Sequence, residues 1–179
     1  MLLHWEATDP NQDELTYRVY LRGEDQTEWK LAEENINQTS VLWDTFTMPE
    51  GITRLLLVAS DAPDNPPSEA LEVRRLSQPF VLDNSPPLVE VSRVAGADGL
   101  QLRARFTDSA SPVLSADFSV DYDTDQVFQL QAVDGLFDSA SEEAVFRPGE
   151  LPAGEHVVVV RAWDQADNVG VGQLVIQVR

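Results

Sequence analysis

Apolar and polar residues alternate along most of the chain, in short stretches separated by clusters of Pro, Gly, Asn and Asp. Alternation with a period of two is typical of a β-strand that buries one face. The clearest stretches are residues 16–22, 88–94, 100–106 and 174–178. Residues 30–35 (KLAEEN) fit a short helix, or an edge strand followed by a loop. Many short strands joined by polar turns predict an all-β sandwich or barrel.

The two halves of the sequence resemble each other. MPEG at residues 48–51 aligns with LPAG at 151–154, an offset of 103 residues, and the same offset aligns VASDAPDN (58–65) with RAWDQADN (161–168). Nearer the N-terminus the best offset is 101 residues. Small loop insertions produce such a difference, so we predict two copies of one domain. The equivalent residues that these offsets predict are Trp5 and Phe106, Tyr17 and Phe118, Val19 and Val120, Leu71 and Leu174, and Val73 and Ile176.

The boundary between the two copies is predicted at a pair of prolines. Pro86 and Pro87 have no amide hydrogen and fix the φ angle, which suits an extended linker followed by an edge strand. We therefore predict one domain over residues 1–84 and a second over residues 85–179. The second copy begins with the strand at 88–94, but an offset of 101 places its counterpart before residue 1. We expect that the chain is a piece of a longer protein, rather than that another segment supplies this edge. The remaining alternative is a genuine start with a shortened sandwich, whose open edge would invite pairing.

This repeated pattern resembles the fibronectin type III module and related bacterial immunoglobulin-like modules. Residues 2–21 resemble strand B, the B–C loop and strand C, with Trp5 as the core aromatic, and residues 151–178 resemble the E–F turn through strand G. The F–G loop of this group often reads D-x-A-G-N, and Asp64 and Asp167 replace that glycine here. The resemblance implies two tandem seven-stranded antiparallel β-sandwiches, the first without its strand A. It also implies part of a larger exported bacterial protein, in an extracellular or periplasmic location.

Charge and composition exclude several classes of function. Twelve Lys and Arg against 31 Asp and Glu give a formal net charge of -19, which repels phosphate backbones, so nucleic acid is not an expected partner. The acidity is spread evenly, because the halves divided after residue 84 carry -10 and -9. No stretch is apolar for long enough to insert into a membrane as a helix. Without cysteine the chain has no disulfide or thiolate metal site. We expect a monomer.

Acidic loops are the candidate metal sites. The loop at residues 9–14 (DPNQDE) has oxygen-bearing side chains at alternate positions, although it lacks the glycine and the final glutamate of an EF-hand. In this fold the B–C and F–G loops share one end of the sandwich, so both loops could contribute to one calcium site. The alternative is that these side chains, like Asp164 in the second copy, only cap turns. We expect no cofactor, with calcium as the alternative, and its candidate ligands are Asp9, Asn11, Asp13, Asp61 and Asp64.

The sequence does not predict an enzyme. The two histidines are His4, which falls in a strand, and His156, and neither has a serine partner in the manner of a catalytic triad. His156 lies where these sandwiches often have a tyrosine that bonds nearby backbone, so we predict a structural role for it. The run DYDTD at residues 121–125 is predicted to round a turn, because three like charges on one strand face would destabilise it.

Residues 156–163 predict a strand with an apolar outer face. If alternate residues from His156 onward point inward, their neighbours form an outer face that is unusually apolar for an antiparallel sheet. We interpret this face as a contact with an upstream domain of the same polypeptide or with another protein, with Trp163 as an anchor. The alternative is an apolar patch that long side chains such as Arg161 cover. The face consists of Val157, Val159, Arg161 and Trp163, with Arg54, Leu56 and Val58 in the first copy.

These features together predict a non-catalytic spacer or protein-interaction module of a larger exported protein. The alternative function is ligand binding, as a carbohydrate-binding module or in calcium-dependent adhesion. Trp29 and Trp43 are the candidate sugar-stacking residues, and a position in the sheet core is the other interpretation of both.

Overall fold

The computed structural model describes residues 1–96 and 99–179, and this part of the chain forms two compact units, Met1–Leu82 and Asp83–Arg179. We call them unit 1 and unit 2. Their division lies two residues before the boundary that the proline pair predicts. The regular structure of the described residues consists of fourteen β-strands and one 3₁₀ turn, Thr45–Thr47. No helix in this part of the chain has the length and hydropathy of a membrane span.

Unit 1 is an antiparallel sandwich of two sheets. Strand β1 pairs with β4, while β3, β2 and β5 form the second sheet, in which both β6 and β7 pair with β5. No described strand pairs with the other edge of β1, so the prediction of a sandwich without its first strand is confirmed. The alternating segment KLAEEN forms a strand rather than a helix. The strands are β1 (Leu2–His4), β2 (Thr16–Gly23), β3 (Lys30–Ile36), β4 (Ser40–Leu42), β5 (Gly51–Ser60), β6 (Glu72–Leu76) and β7 (Phe80–Leu82).

Unit 2 contains the complete seven-stranded sandwich. One sheet has the order β12-β9-β8 and the other the order β11-β10-β13-β14, and all pairs are antiparallel. Three strands facing four is the fold class that the sequence predicted. The strands are β8 (Leu88–Arg93), β9 (Leu102–Thr107), β10 (Val113–Val120), β11 (Phe128–Gln129), β12 (Ser141–Phe146), β13 (Gly154–Asp164) and β14 (Val169–Val178).

The register of the sheets corrects the offset of 101 residues for strand C. Tyr17 pairs with Ala59 in unit 1, and Ala116 pairs with Ala162 in unit 2. Ala59 and Ala162 are equivalent at the offset of 103, so their partners Tyr17 and Ala116 are equivalent as well. The offset for strand C is therefore 99 residues, and the predicted offset of 101 was wrong by two residues. The corrected equivalents are Tyr17 with Ala116 and Val19 with Phe118.

Strand G is also displaced from its predicted equivalents. Ala59 pairs with Val73, whereas its equivalent Ala162 pairs with Gly170. The F–G loop has eleven residues in unit 1 and five in unit 2 between the last paired residue of one strand and the first of the next. The longer loop of unit 1 shifts strand G by six residues relative to the offset of 103. The short identical motifs on either side of the loop did not reveal this shift. Val73 is therefore equivalent to Gly170 and Arg75 to Gly172, and the pairing of Leu71 with Leu174 and of Val73 with Ile176 was wrong.

The two units bury very different amounts of apolar side chain. Thirteen buried residues form the core of unit 2, among them Phe106, Val158 and Val160, none of which is accessible to solvent. In unit 1 the corresponding cluster has three, Tyr17, Val19 and Ile36, and the residues packed around it are only partly buried. Burial of apolar surface is the main stabilising term in folding, so unit 1 is expected to be the less stable unit.

Candidate functional site

In unit 1 three carboxylates meet where the B–C loop, between β1 and β2, approaches the F–G loop, between β5 and β6. One oxygen each of Asp9, Asp13 and Asp61 lie within 4.8 Å of one another. Asp61 is buried, while Asp9 and Asp13 are partly exposed. The structure thus brings together three of the five residues that the sequence offered as calcium ligands.

Neighbouring donors already satisfy this group. Asp9 Oδ1 accepts hydrogen bonds from the backbone N–H of Asn11 at 2.7 Å and of Asp13 at 3.2 Å. The amide of Asn65 donates to Asp13 Oδ2 at 2.9 Å and to the Asp61 carbonyl at 3.1 Å. These bonds are those of side chains that stabilise a turn, and calcium binding here stays a prediction.

The other two candidate ligands, Asn11 and Asp64, lie outside the group. Both are exposed. Asp64 Oδ2 accepts a hydrogen bond from the backbone N–H of Glu14 at 2.6 Å, and so ties the F–G loop to the B–C loop.

Unit 2 has a second group of three carboxylates. Asp83 stands at the start of the unit, Asp108 directly follows β9, and Asp164 ends β13. One carboxylate oxygen from each of the three residues lies within 4.8 Å of those of the other two. Asp83 and Asp164 are 8% and 1% exposed, and Asp108 is partly buried.

The sequence prediction missed two of these three residues. Asp164 was interpreted as a turn residue, and its carboxylate does accept hydrogen bonds from the backbone N–H of Ala166 at 2.8 Å and of Asn168 at 2.9 Å. Asp83 and Asp108 were not singled out, because their convergence depends on three segments that are distant in sequence. One signal in the sequence could have identified Asp108. It follows strand B of the second copy as Asp9 follows strand B of the first, and the two residues are 99 apart, which is the offset of strand C.

The run DYDTD rounds a turn at the end of β10, as the sequence indicated. Asp121 and Tyr122 have positive φ angles of 53° and 60°. Asp121 reaches from this turn to the start of β13, where its Oδ2 lies 2.7 Å from His156 Nδ1 and its Oδ1 accepts a hydrogen bond from the Val157 N–H at 2.9 Å. His156 Nε2 lies 2.9 Å from the Pro152 carbonyl oxygen. The imidazole therefore joins two chain segments at this end of unit 2.

The same contacts shift both pKa values. The hydrogen bond to the Asp121 carboxylate raises the pKa of His156 above its ordinary value of 6.5, and the bond to the Pro152 carbonyl acts in the same direction. The hydrogen bond from His156 lowers the pKa of Asp121 below 3.8, helped by the Val157 N–H. Each group is thus stabilised in its charged form.

We expect the stability of unit 2 to fall as the pH rises above 6.5. A raised folded-state pKa contributes stability that is complete below the unfolded value and is lost as pH rises through the folded value. The contribution of Asp121 has the opposite sign and is lost only below pH 3.8. Thermal unfolding of unit 2 between pH 5 and pH 9 measures this, and His156→Gln should remove most of the decrease. The exposed His4 of unit 1 provides the control His4→Gln, and an equal decrease in wild-type protein and His156→Gln would contradict the assignment.

Strand β13 alternates in burial as the sequence indicated. His156, Val158, Val160 and Ala162 are at most 9% exposed, while the residues between them are partly exposed. Their neighbours on the outer face of β14 include three exposed valines. The registered pairs of this face are Val157 with Val175, Arg161 with Val171 and Trp163 with Val169.

Arg161 covers part of this outer face. Its guanidinium donates to both carboxylate oxygens of the buried Asp117, at 2.9 Å and 2.8 Å, and lies 5.3 Å from the centre of the Trp163 ring. A two-point contact with a carboxylate raises the pKa of the guanidinium further above its ordinary value. The arrangement matches the alternative in which a long side chain covers the patch, and binding by Trp163, Val157 and Val159 stays a prediction.

The corresponding face of unit 1 is covered in a similar way. Val58 is 3% exposed, although the register places it between Arg18 on β2 and Arg74 on β6. Both arginines pair with Glu72, which holds their side chains over the sheet. Leu56 remains partly exposed beside this cover.

The tryptophans considered for sugar stacking are both partly buried. The Arg22 guanidinium lies 4.7 Å from the centre of the Trp29 ring and covers one of its faces. Trp43 follows β4, where its backbone N–H and carbonyl bond the first residue of the chain. Carbohydrate binding by either residue stays a prediction.

The strand topology defines both units as fibronectin type III-like sandwiches. No family model matches the chain, and no curated protein matches it. Among solved structures, the fibronectin(III)-like modules of Clostridium thermocellum CbhA are similar, with a TM-score of 0.38 and 17% identity over 90% of this chain and 77% of that one. The FN1–FN3 domains of chicken CNTN1 are also similar, with a TM-score of 0.43 and 12% identity over 99% of this chain, which spans 61% of the CNTN1 structure.

Proposed function

We propose that this chain is a non-catalytic interaction module of a larger exported protein, and that unit 1 binds an extended segment along the free edge of β1. The observation that carries this proposal is a groove in unit 1 that lies against β6. This strand is the equivalent of β14, against which β8 packs in unit 2. Addition of a strand to an open sheet edge is a common mode of peptide recognition, in which the backbone supplies affinity and alternate side chains supply specificity.

The groove has a volume of about 410 Å³ and lies between residues 6–10 and β6. Its apolar lining includes Ala7, Leu57 and Ala59 from the interior of the sandwich. Leu71 and Val73 complete the lining and are 70% and 62% exposed. Large apolar side chains left open beside a core mark a surface that another chain segment covers.

Unit 2 indicates what fills such a groove. There β8 pairs with β9 along its whole length, with Val89 opposite Phe106 and Val91 opposite Ala104. Val89 is buried in the core and Val91 packs against it. The occupant of unit 1 is therefore an extended segment with small or medium apolar residues at alternate positions.

One difference between the units restricts the occupant further. Gly170 and Gly172 of unit 2 let the backbone of β8 approach β14 directly. The equivalent residues in unit 1 are Val73 and Arg75, whose side chains occupy that space. The occupant of unit 1 consequently packs against side chains of β6, and its inward residues should be smaller than valine where they meet Val73.

An N-terminal extension tests this proposal in the full chain. Two variants carry a copy of residues 85–94 joined to Leu2 through a Gly/Ser linker of about eight residues, one with the inward valines kept and one with both changed to alanine. We expect at least one of them to raise the Tm of unit 1, by about 4–8 °C for each net kcal/mol gained in a domain of this size. Amide exchange at β2 and β5 during heating reports on unit 1 alone.

The matched control is the same extension with aspartate at the two inward positions, since buried carboxylates without partners are strongly unfavourable. A Tm of unit 1 that is the same in all three extended proteins would refute strand addition at this edge. The outer face around Trp163 would then be the remaining interaction surface of the module.

A further inference from the structure

The three carboxylates at one end of unit 2 form a site that the turn interpretation does not explain. Asp83, Asp108 and Asp164 come from three separate segments, yet one oxygen of each lies within 4.8 Å of the others. Two of the side chains are more than nine-tenths buried. Like charges this close and this far from water repel one another strongly unless a cation lies between them.

Within residues 1–96 and 99–179, no Lys, Arg or His forms an ion pair with these carboxylates. The ion pairs among the described residues involve other acids, such as Asp117 and Glu143. The donors that do contact the group are neutral: the Ser111 hydroxyl bonds Asp83, and the Asn168 amide bonds Asp164 Oδ2 at 2.8 Å. Neutral donors leave the net charge of the group unchanged.

One carboxylate oxygen of Asp108 has no hydrogen-bond partner among the described residues. Asp108 Oδ1 accepts the backbone N–H groups of Ala110 and Ser111, both at 2.8 Å. Asp108 Oδ2 has less than 1 Å² of accessible surface and no hydrogen-bond donor within the described residues. A buried carboxylate oxygen without a donor costs free energy comparable to its lost hydration, and a bound ion is one of the few arrangements that account for such a group in a native protein.

The ligand chemistry fits calcium better than other metals. Calcium binds carboxylate and other oxygens at 2.3–2.6 Å, so two of its ligands can be up to roughly 5 Å apart. Magnesium usually retains several waters and is bound through one or two carboxylates, whereas this group offers three. Zinc favours histidine and cysteine, and the chain has no cysteine and places its only histidine of unit 2 beside Asp121.

Unit 1 lacks the feature that distinguishes this site. Asp13 Oδ2 accepts a hydrogen bond from the Asn65 amide, and Asp61 Oδ1 accepts one from the Leu71 backbone N–H. No carboxylate oxygen of unit 1 is buried without a partner. We infer that Asp83, Asp108 and Asp164 bind one calcium ion, with the Ser111 hydroxyl beside it, and that this ion joins the first residues of unit 2 to the ends of β9 and β13.

Calorimetric titration of the EGTA-treated full chain with calcium chloride tests the inference. We expect one site, with a Kd of about 10⁻³ M or tighter, and a rise in the Tm of unit 2 but not of unit 1. Asp108→Asn should weaken binding at least tenfold, and Asp83→Asn should do the same. Asp125→Asn, at an exposed carboxylate in the turn after β10, is the matched control and should bind as the wild type does.

A second readout separates an ion site from a structural carboxylate. In Asp108→Asn an NH₂ group can replace the unpartnered oxygen and donate to the neighbouring carboxylates, so in EGTA the variant should unfold at the same Tm as the wild type or higher. With calcium the order should reverse. Wild-type protein that shows no binding at about 10 mM calcium, binding unchanged in Asp108→Asn, or equal loss in Asp125→Asn would each overturn the inference. Equal binding of magnesium chloride would overturn the choice of calcium.

Discussion

Gly170→Ala is expected to detach β8 from unit 2 and to destabilise that unit by about 3 kcal/mol or more. A Cβ atom at this position would lie 1.8 Å from the carbonyl oxygen of Pro87 and 2.8 Å from its carbonyl carbon. These are backbone atoms, so no side-chain rotation relieves the overlap. Either β8 moves away, which takes Val89 out of the core, or β14 loses its pairing with β13. The denaturant midpoint of unit 2 and the amide protection of β8 measure the effect.

Gly23→Ala is the matched control for this substitution. Its Cβ would lie 3.6 Å from the flexible side chain of Gln26, which is an ordinary contact distance. We expect a change within about 0.5 kcal/mol. A Gly170→Ala protein that retained the wild-type midpoint and full protection of β8 would show that the first strand does not lie against these glycines as described.

The alternating pattern was sufficient to predict the fold class and the direction of side chains on β13. His156 and the alternate residues after it are buried because a pleated strand has a period of two whatever its partners are. The alignment of the two copies was less reliable. Tyr17 and Phe118 are both aromatic, which favoured an offset that the pairing of β2 with β5 does not support. Loop lengths leave no periodic signal, so only the register of the sheets could determine them.

The candidate site was predictable only where its residues are close in sequence. Asp9 and Asp13 lie in one loop, and the fold resemblance placed Asp61 near them. In unit 2 the third carboxylate, Asp83, precedes the first strand, and unit 1 has no described equivalent of that segment. The unpartnered oxygen of Asp108 depends on which donors reach it in three dimensions. The distinction between a turn and an ion site is therefore a tertiary property.

The core of unit 1 is more exposed than that of unit 2, and this difference links the proposed binding edge to the stability of unit 1. Unit 1 has its first sheet reduced to β1 and β4, and the side chains that would face a further strand remain partly exposed. Trp5 Nε1 is buried there without a hydrogen-bond partner among the described residues. A segment that binds the groove would cover this exposed part of the core. Its binding is therefore expected to raise the stability of unit 1 far more than that of unit 2.

Phe106→Ala is expected to destabilise unit 2 by about 3–5 kcal/mol, the usual cost of removing a fully buried aromatic ring. Phe106 is completely inaccessible and packs edge-on against Phe137, with ring centres 5.6 Å apart. Surrounding strands on both sheets hold the cavity open, which prevents collapse around the lost ring. Chemical denaturation of the full chain, with amide exchange recorded separately for β9 and β13, gives the loss for unit 2.

Trp5→Ala provides the comparison in unit 1, because Trp5 directly follows β1 and is the residue that the offset of 101 aligns with Phe106 of β9. It packs against Tyr17 with ring centres 5.2 Å apart but is only partly buried. A partly buried ring transfers less apolar surface from water, so we expect a loss of about half that of Phe106→Ala or less. Equal losses in the two units would mean that the core of unit 1 is closed in solution, and strand addition along β1 would then have no exposed apolar surface to cover.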